Sequence, residues 1–368
     1  MEVRPAKPRE LEVWDDLVVT PGGGHVYQSM AWARHRAATG WRPHHLVAVD
    51  GSAVLALERR WPLVGGGSAY LPRGPIPAGD APAMARRLES FSGWLAGHGI
   101  DVIASDAEVE AVSGYPGLID AAGFHPIEEI QPSRHKLAIA LGHGADEPAV
   151  LAGISKATRQ RIRAAERAGT VVTRHDRSRG AESGPGEGFA APGEDSGLAI
   201  DRFYDLLLET GERRHFAFGP RAAFVAWWRA ALAAGWLVLL AARTAEGEPL
   251  AGLLLYRHGG RLSTVHSGDH APSRRDHPGA LHLLRWRAIQ LAIREGCAEM
   301  DLGGVDVPGA RRPPVEGEPM YGLYEHKRSF GASWVELTGA HEWAVRPRRY
   351  ALGRLLSGGA RLLGRVRR

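Results

Sequence analysis

One order of segments occurs twice along the chain, and that repetition restricts the fold more than any other feature of the sequence. HHLVAVDG, AVLALERR and SAYLPRGPI are three strand-like runs separated by turn chemistry, APAMARRLESFSGWLAGHG is a helix, and DVIASD is again strand-like. From Trp236, WLVLLAARTAEGEPLAGLLLYRHGGRLSTVHSGD supplies three more strands joined by hairpin-like turns; Asp276 to Gly296 reads as a long helix, and AEMDLGG follows it. In the first of these helices Met84, Leu88, Phe91 and Trp94 or Leu95 stand at helical spacing, and Gly97-His98-Gly99 ends it. VYQSMAWARHRAATGW, ahead of the first set, reads as a helix entered through Gln28-Ser29 with Trp32 on its buried side. After that set, SGYPGLIDAAGF is helical and SRHKLAIAL is strand-like. A chain that repeats one supersecondary order is expected to stack two copies of one α/β fold, here of the α+β kind.

Composition agrees with two cores and narrows the function. At 368 residues the chain is long enough for two domains, and 44% hydrophobic with 24% charged residues is ordinary for a globular protein. No apolar run reaches the roughly 18 residues of a membrane span, and Met1 to Trp14 has no signal-peptide core, so a cytoplasmic protein is expected. The single cysteine, Cys297, excludes an intramolecular disulfide and a thiolate zinc cluster; it reads as a small packed residue. Positive charges exceed negative by 46 − 41 = 5, a mildly basic balance compatible with an anionic partner.

Several stretches carry candidate chemistry. Asp301 to Gly331, DLGGVDVPGARRPPVEGEPMYGLYEHKRSFG, reads as a strand end, a Gly-Gly turn, a Pro-rich loop and a short helix bearing Lys327. Gly303 and Gly304 let the backbone turn sharply and approach a ligand. Lys327, flanked by Tyr321, Tyr324 and Phe330, is then either a cation held where oxyanion charge develops or a surface lysine on an amphipathic helix. Arg36 and Arg73 suit phosphate through paired, charge-assisted hydrogen bonds, or are ordinary surface arginines. Asp106, in IASDAEV, is a helix N-cap or a base. In ISKATRQRIRAAERAGTVV, at 100° per residue, Lys156, Arg159, Arg163 and Arg167 share a stripe of about 80°. That stripe is a track for nucleic-acid phosphates or a solvated helix face. SRGAESGPGEGFAAPGEDSG buries too little to order itself, so a mobile insertion is expected at about 177–198. The tail RRYALGRLLSGGARLLGRVRR has seven arginines, no acid and interspersed leucines. It fits an anionic membrane surface, a nucleic-acid-binding tail, or a packed helix with solvated arginines. His25, His44, His45, His266 and His270 show no metal-ligand spacing, so no metal is expected, and no Gly-x-Ser-x-Gly elbow is present.

Taken together, QSMAW with Arg36 four residues after Trp32, YLPRGP at Tyr70 to Pro75, Gly123-Phe124 followed by IQPS, DLGG, and YEHKRSFG resemble, in order, the Fem family of aminoacyl-tRNA-dependent aminoacyltransferases, which build peptidoglycan interpeptide bridges. The resemblance covers most of the chain. It implies two tandem N-acetyltransferase-like domains: residues 1–145, rejoined by a tail at about 335–368, and residues 146–334. It assigns Lys327 to the oxyanion or the departing ribose oxygen, and Asp106 to orienting or deprotonating the acceptor amine. Substrate contacts fall on Trp32, Arg36, Tyr70, Arg73, Tyr324 and His326, the last as a stacking surface for the terminal adenosine, and tRNA contacts on Lys156, Arg159, Arg163 and Arg167. The implied partners are aminoacyl-tRNA, as co-substrate and with no further cofactor, and a peptidoglycan precursor amine, with peripheral membrane contact through the tail.

Departures from the family's pattern bear on the acceptor. His326 replaces a phenylalanine before the lysine, Ala107 a proline after the acid, and Gly219, Ala223 and His266 an arginine and two tyrosines that bind a nucleotide-linked precursor. A lipid-linked precursor is therefore expected over a UDP-linked one. Other readings are the same transfer onto a specialised metabolite, an acyl-CoA N-acyltransferase, and a non-catalytic binding protein. Against coenzyme A, Arg275-Asp276-His277-Pro278-Gly279-Ala280 puts a proline where a pyrophosphate loop needs a glycine N–H.

Overall fold

The computed structural model describes all residues except 132–133, 143, 179–180, 183–187, 192–193, 215–218, 306–311 and 367–368. Contacts divide the chain into two units, Met1–His135 with Glu336–Arg368, and Lys136–Val335.

The first unit begins with β1 (Val3–Pro5), α1 (Pro8–Glu12), α2 (Trp14–Val18) and α3 (Met30–Ala37). Ser29 starts α3 by accepting the Trp32 backbone N–H at 3.0 Å, an N-cap that fixes which side of the helix Trp32 covers. There follow β2 (Arg42–Ala48), β3 (Ala53–Arg60), β4 (Gly67–Leu71), α4 (Ala81–Gly97), β5 (Val102–Ser105), α5 (Tyr115–Ala121) and β6 (His125–Pro126). Strands β1 to β4 meander antiparallel, whereas β5 runs parallel to β4, which requires the crossover that α4 supplies. Asp80 caps α4 at the Ala83 N–H, and Leu88, Phe91 and Leu95 bury one face in a core with Leu46, Val54, Leu71 and Ile103. Phe91 is fully buried, so its truncation to alanine costs about 3 to 5 kcal/mol.

The second unit comprises β7 (His135–Ala140), α6 (Glu147–Gly153), α7 (Lys156–Arg167), β8 (Val171–Ser178), β9 (Ala181–Glu182), α8 (Ser196–Arg214), α9 (Arg221–Ala233), β10 (Leu237–Arg243), β11 (Pro249–His258), β12 (Arg261–Asp269), α10 (Ala280–Arg294), β13 (Glu299–Asp301), α11 (Tyr321–Arg328) and β14 (Ser333–Glu336). Its sheet has the order β14-β7-β13-β12-β11-β10-β8-β9, and α10 is the crossover between the parallel strands β12 and β13. Leu253, Leu255, Leu262, Leu284, Ile289, Met300 and Phe330 share one core. Helices α8 and α9, which the strand pattern does not announce, bury Phe203, Tyr204, Trp227 and Trp228.

Three expectations are corrected here. SRHKLAIAL, read with the first set of strands, pairs as β7 with β13 through Glu299↔Ala140 and Asp301↔Ala138, because its alternating apolar residues complete the second core. Helix α10 begins at Ala280 rather than Asp276, since Gly279 has φ +88° and cannot belong to a right-handed helix. Part of the 177–198 insertion lies outside the described residues, but Phe189 within it is 7% exposed and joins the core, with Arg174 and Arg294 over its ring. Cys297 is buried between α10 and β13, and burial pushes its thiol up to about 11, consistent with an inert packed residue.

The chain then returns to the first unit as β15 (His341–Ala344), antiparallel to β5, and α12 (Pro347–Val366). The first turns of α12 are tied down by Asp101, which is fully buried and accepts from Arg349 at 2.6 and 2.9 Å and from the Trp61 indole at 2.9 Å. Among the described residues no helix is long and apolar enough to cross a membrane.

Candidate functional sites

In each unit a strand runs parallel to its neighbour, β5 to β4 and β13 to β12, and where such a pair stops pairing its two strands part at their carboxyl ends, the usual place for a ligand in α/β architecture. In the first unit pairing ends at Leu71↔Ser105, and in the second at Ser263↔Asp301. Asp106 and Arg73 immediately follow the first ending, and Gly303 follows the second.

In the first unit, Arg73 adopts a left-handed φ of +53° next to a cis Gly74–Pro75 bond. The turn is held from three directions. Gln28 donates its amide to Pro72 O at 2.6 Å and accepts from Leu55 N at 2.7 Å, Ser105 Oγ donates to Gly74 O at 2.7 Å, and Asp106 Oδ1 accepts the Arg73 N–H at 2.6 Å. Asp106 Oδ2 takes the Tyr70 hydroxyl at 2.8 Å. Asp106 caps no helix, and its side chain is 1% exposed. Burial pushes its carboxyl up, against the pull of Arg73 and these hydrogen bonds. The Arg73 Nε lies 3.7 Å from both Asp106 and Glu108; burial alone would lower its pKa, and the two acids carry it higher. Arg36 lies between the Trp32 and Trp41 rings, 5.4 and 5.1 Å from their centroids, with a buried Nε that has no hydrogen-bond partner among the described residues. Burial and neighbouring Arg59 lower its pKa, while Tyr70 and Tyr27 are close enough to raise it. A half-buried cation flanked by indoles and a second arginine is suited to an anionic group.

In the second unit, Gly303 turns with φ +77°, its N–H on Asp301 Oδ1 at 2.7 Å. Lys327 on α11 is 6% exposed and donates to Gly304 O at 2.8 Å, so the Gly-Gly turn and the lysine form one arrangement. The adjoining loop at 306–311 lies outside the described residues. His326 accepts from Arg285 Nε at 2.9 Å and meets His282 and Phe330 edge-on at 4.6 and 5.5 Å. Tyr324 turns to a different side, against Trp334 and beneath Arg328.

The basic stripe divides. Thr158, Ile162 and Ala165 form the buried face of α7, and Lys156, Arg163 and Arg167 stand exposed without a carboxylate partner among the described residues. Arg159 instead turns back onto the C-terminal carbonyls of α6, reaching Leu151, Ala152 and Ile154 at 2.6 to 3.2 Å. Ser155 N bonds Ser329 O at 2.9 Å and Thr158 Oγ1 bonds Ser329 Oγ at 2.7 Å, anchoring the first turn of α7 to the turn that follows Lys327.

Sequence reasoning missed Gln28 as a clamp, Glu108, and the whole of Arg285, His282 and Arg161. Glu108 carries a weak signal, since it stands two residues beyond Asp106 at a strand end; the others have none, because local pattern gives no hint of partners 27 or more residues away. His266 is half-buried against Phe224 and Trp228, and desolvation lowers it to about 4. Among the described residues no group of His, Cys, Asp or Glu could hold a metal ion.

Residues 154–328 match the family model of an acetyltransferase (GNAT) domain. No match is found among curated proteins. FemX superposes with a TM-score of 0.75 over 96% of this chain and 99% of FemX, at 17% identity. L-PGS from Bacillus licheniformis superposes at 0.51 over 98% and 97% with 11% identity. A conserved protein of unknown function from Bacteroides thetaiotaomicron gives 0.53 over 93% and 98%, also at 11%. The chain is therefore Fem-like in fold, with two tandem acetyltransferase-type domains of which the second contains the region matched by the GNAT model.

Proposed function

We propose that the protein moves an aminoacyl group from aminoacyl-tRNA to an amine of a peptidoglycan precursor, forming an amide. The observation that carries this reading is Lys327, a buried ammonium set against the Gly303-Gly304 turn at the parting of β12 and β13. An aminoacyl ester is already activated, so the reaction needs a neutral attacking amine and a stabilised tetrahedral oxyanion. Deprotonating an amine of pKa about 10.4 at pH 7 costs roughly 4 to 5 kcal/mol. One well-aimed donor to the oxyanion contributes about 3 to 4 kcal/mol. The two are comparable, so both an enclosed acceptor site and a cation are required. Lys327 serves the oxyanion or the departing ribose oxygen.

Asp106, with both oxygens engaged, acts by holding Tyr70 and Arg73 in place for the acceptor rather than by taking the proton itself. Arg36 binds an acceptor phosphate between Trp32 and Trp41, His326 contacts the donor's end while Tyr324, turned against Trp334, only supports α11, and Lys156, Arg163 and Arg167 carry tRNA phosphates toward α11, with Arg159 as their support. No coenzyme is used. Pro278 has no N–H to offer a pyrophosphate, and a Cβ at Gly279 would lie 2.2 Å from the Arg161 carbonyl, so the loop ahead of α10 is packed against protein. A lipid-linked acceptor is favoured over a UDP-linked one, because Gly219, Ala223 and His266 offer no arginine or tyrosine and α12 leaves Leu352 and Leu355 exposed among arginines, suited to an anionic membrane face.

The test is a single-turnover assay with pooled, labelled aminoacyl-tRNA and lipid-linked or UDP-linked muropeptides. Label is expected on the lipid-linked muropeptide, and Lys327→Met should lower the rate by 10²-fold or more. A folded Lys327→Met protein with near-full activity would overturn the assignment of Lys327; absence of transfer from any aminoacyl-tRNA would overturn the reading.

A further inference from the structure

Arg285 does nothing in the transfer described above, yet it is 1% exposed on the second turn of α10. Among the described residues no carboxylate accompanies it. Its Nε–H donates to His326 Nε2, and its Nη1 has no hydrogen-bond partner there. Burial lowers it to about 10, which leaves it charged at neutral pH. A buried guanidinium without an acid is costly, so its one directed hydrogen bond is informative. Guanidinium nitrogens only donate, and therefore Nε2 of His326 must present its lone pair and the ring's proton must sit on Nδ1.

The groups acting on His326 come from three elements: Arg161 from α7, His282 and Arg285 from α10, and Lys327 from α11 itself. None is acidic. His282 is also neutral, lowered to about 4 by burial, Arg161 and Arg285, and its Nε2 lies 3.4 Å from Arg161 Nη1. Burial first, then Arg285, His282, Lys327 and Arg161, lower His326 to about 2.

We propose that Arg285 is a positioning residue that locks His326 as a neutral ring with its proton on Nδ1, so that α11 offers the substrate a permanent N–H donor beside the Lys327 ammonium. His326 is then neither a general acid nor a general base. The use of that donor by a hydrogen-bond-accepting atom of the aminoacyl-tRNA end rests on the transfer reading; the tautomer does not.

The full chain labelled with ¹⁵N-histidine, with His326 assigned by its loss in His326→Gln, reports the tautomer directly. The expected wild-type signal is a neutral Nδ1–H ring unchanged from pH 5.5 to 8.5, preserved in Arg285→Lys and replaced by a tautomer mixture in Arg285→Met. Transfer by Arg285→Met should fall tenfold or more in kcat with KM changed less than twofold, and Arg285→Lys should restore most of it. A wild-type His326 that carries its proton on Nε2, or titrates within that window, overturns the proposal even if Arg285→Met fails to fold. Unchanged kcat in a folded Arg285→Met protein overturns the positioning role. If wild-type protein transfers nothing, the spectra still decide the tautomer, so the two failures are distinguishable.

Discussion

Replacing Gly303 by alanine separates the stability of the Gly-Gly turn from its service to Lys327. At φ +77° a Cβ costs about 1 to 2 kcal/mol in backbone strain. The new methyl would also lie 3.0 Å from Thr264 O and 3.3 Å from Lys327 Nζ. The first neighbour is backbone in a paired sheet, so the lysine gives way, moving by a few tenths of an ångström and weakening its 2.8 Å bond to Gly304 O. Overcrowding adds about 1 kcal/mol, and misplacement of a catalytic cation by a fraction of an ångström is expected to cost about 10- to 100-fold in rate. Gly296→Ala is the matched control: its φ is +67° and nothing lies within 4 Å of the added Cβ. Urea unfolding should show both variants destabilised, Gly303→Ala by about 1 kcal/mol more, well inside the roughly 5 to 15 kcal/mol that keeps a domain folded. Single-turnover transfer should fall only in Gly303→Ala. Wild-type activity in a folded Gly303→Ala protein, or an equal loss in Gly296→Ala, would refute the link between turn and lysine.

Acid should unfold the second unit early. Burial lowers His175, His266 and His282 to about 4 and His326 to about 2, so the unfolded chain takes up protons first as pH falls below about 6.5; stability is complete above that value and is lost progressively toward pH 4. Each group weakens folding by about 2 kcal/mol between pH 7 and 5, and an unchanged urea midpoint over that range would contradict it. For tRNA binding, Lys156→Ala, Arg163→Ala and Arg167→Ala combined should flatten the dependence of log affinity on log salt by roughly 2, while Arg159→Ala should chiefly loosen the end of α6; an unchanged slope in the triple variant rules out the track. Asp101→Ala removes the acceptor shared by Arg349 and Trp61, so amide exchange in residues 347–357 should accelerate ahead of the rest of the first unit, and protection equal to wild type would show that α12 is held by other contacts.

The duplicated order of strands and crossover helix was legible because strand and helix periods are written locally, and a repeated local pattern needs no tertiary information. Gly303, Gly304 and Lys327 stood out as residue types within one segment, but Gly304 and Lys327 are 23 residues apart and only the fold brings them into contact. The start of α10 was misread because Asp276 and His277 do not reveal the left-handed Gly279 that delays it. Asp106 looked like a cap when taken alone; its partners Tyr70 and Arg73 lie more than 30 residues away.

By itself the sequence determined that there would be two α/β units, where their strands and crossover helices fall, and that the chain carries a basic helical stripe and a basic tail. Only the tertiary structure decided which sheet β7 would join, that Phe189 would be drawn from an otherwise polar insertion into the core, that Arg159 would leave the stripe to cap α6, and that Arg285 would be buried against His326. The division follows from range: propensity and periodicity act over a few residues, whereas strand pairing, the burial of a charge and the choice of a hydrogen-bond partner depend on segments that meet only after the chain has folded.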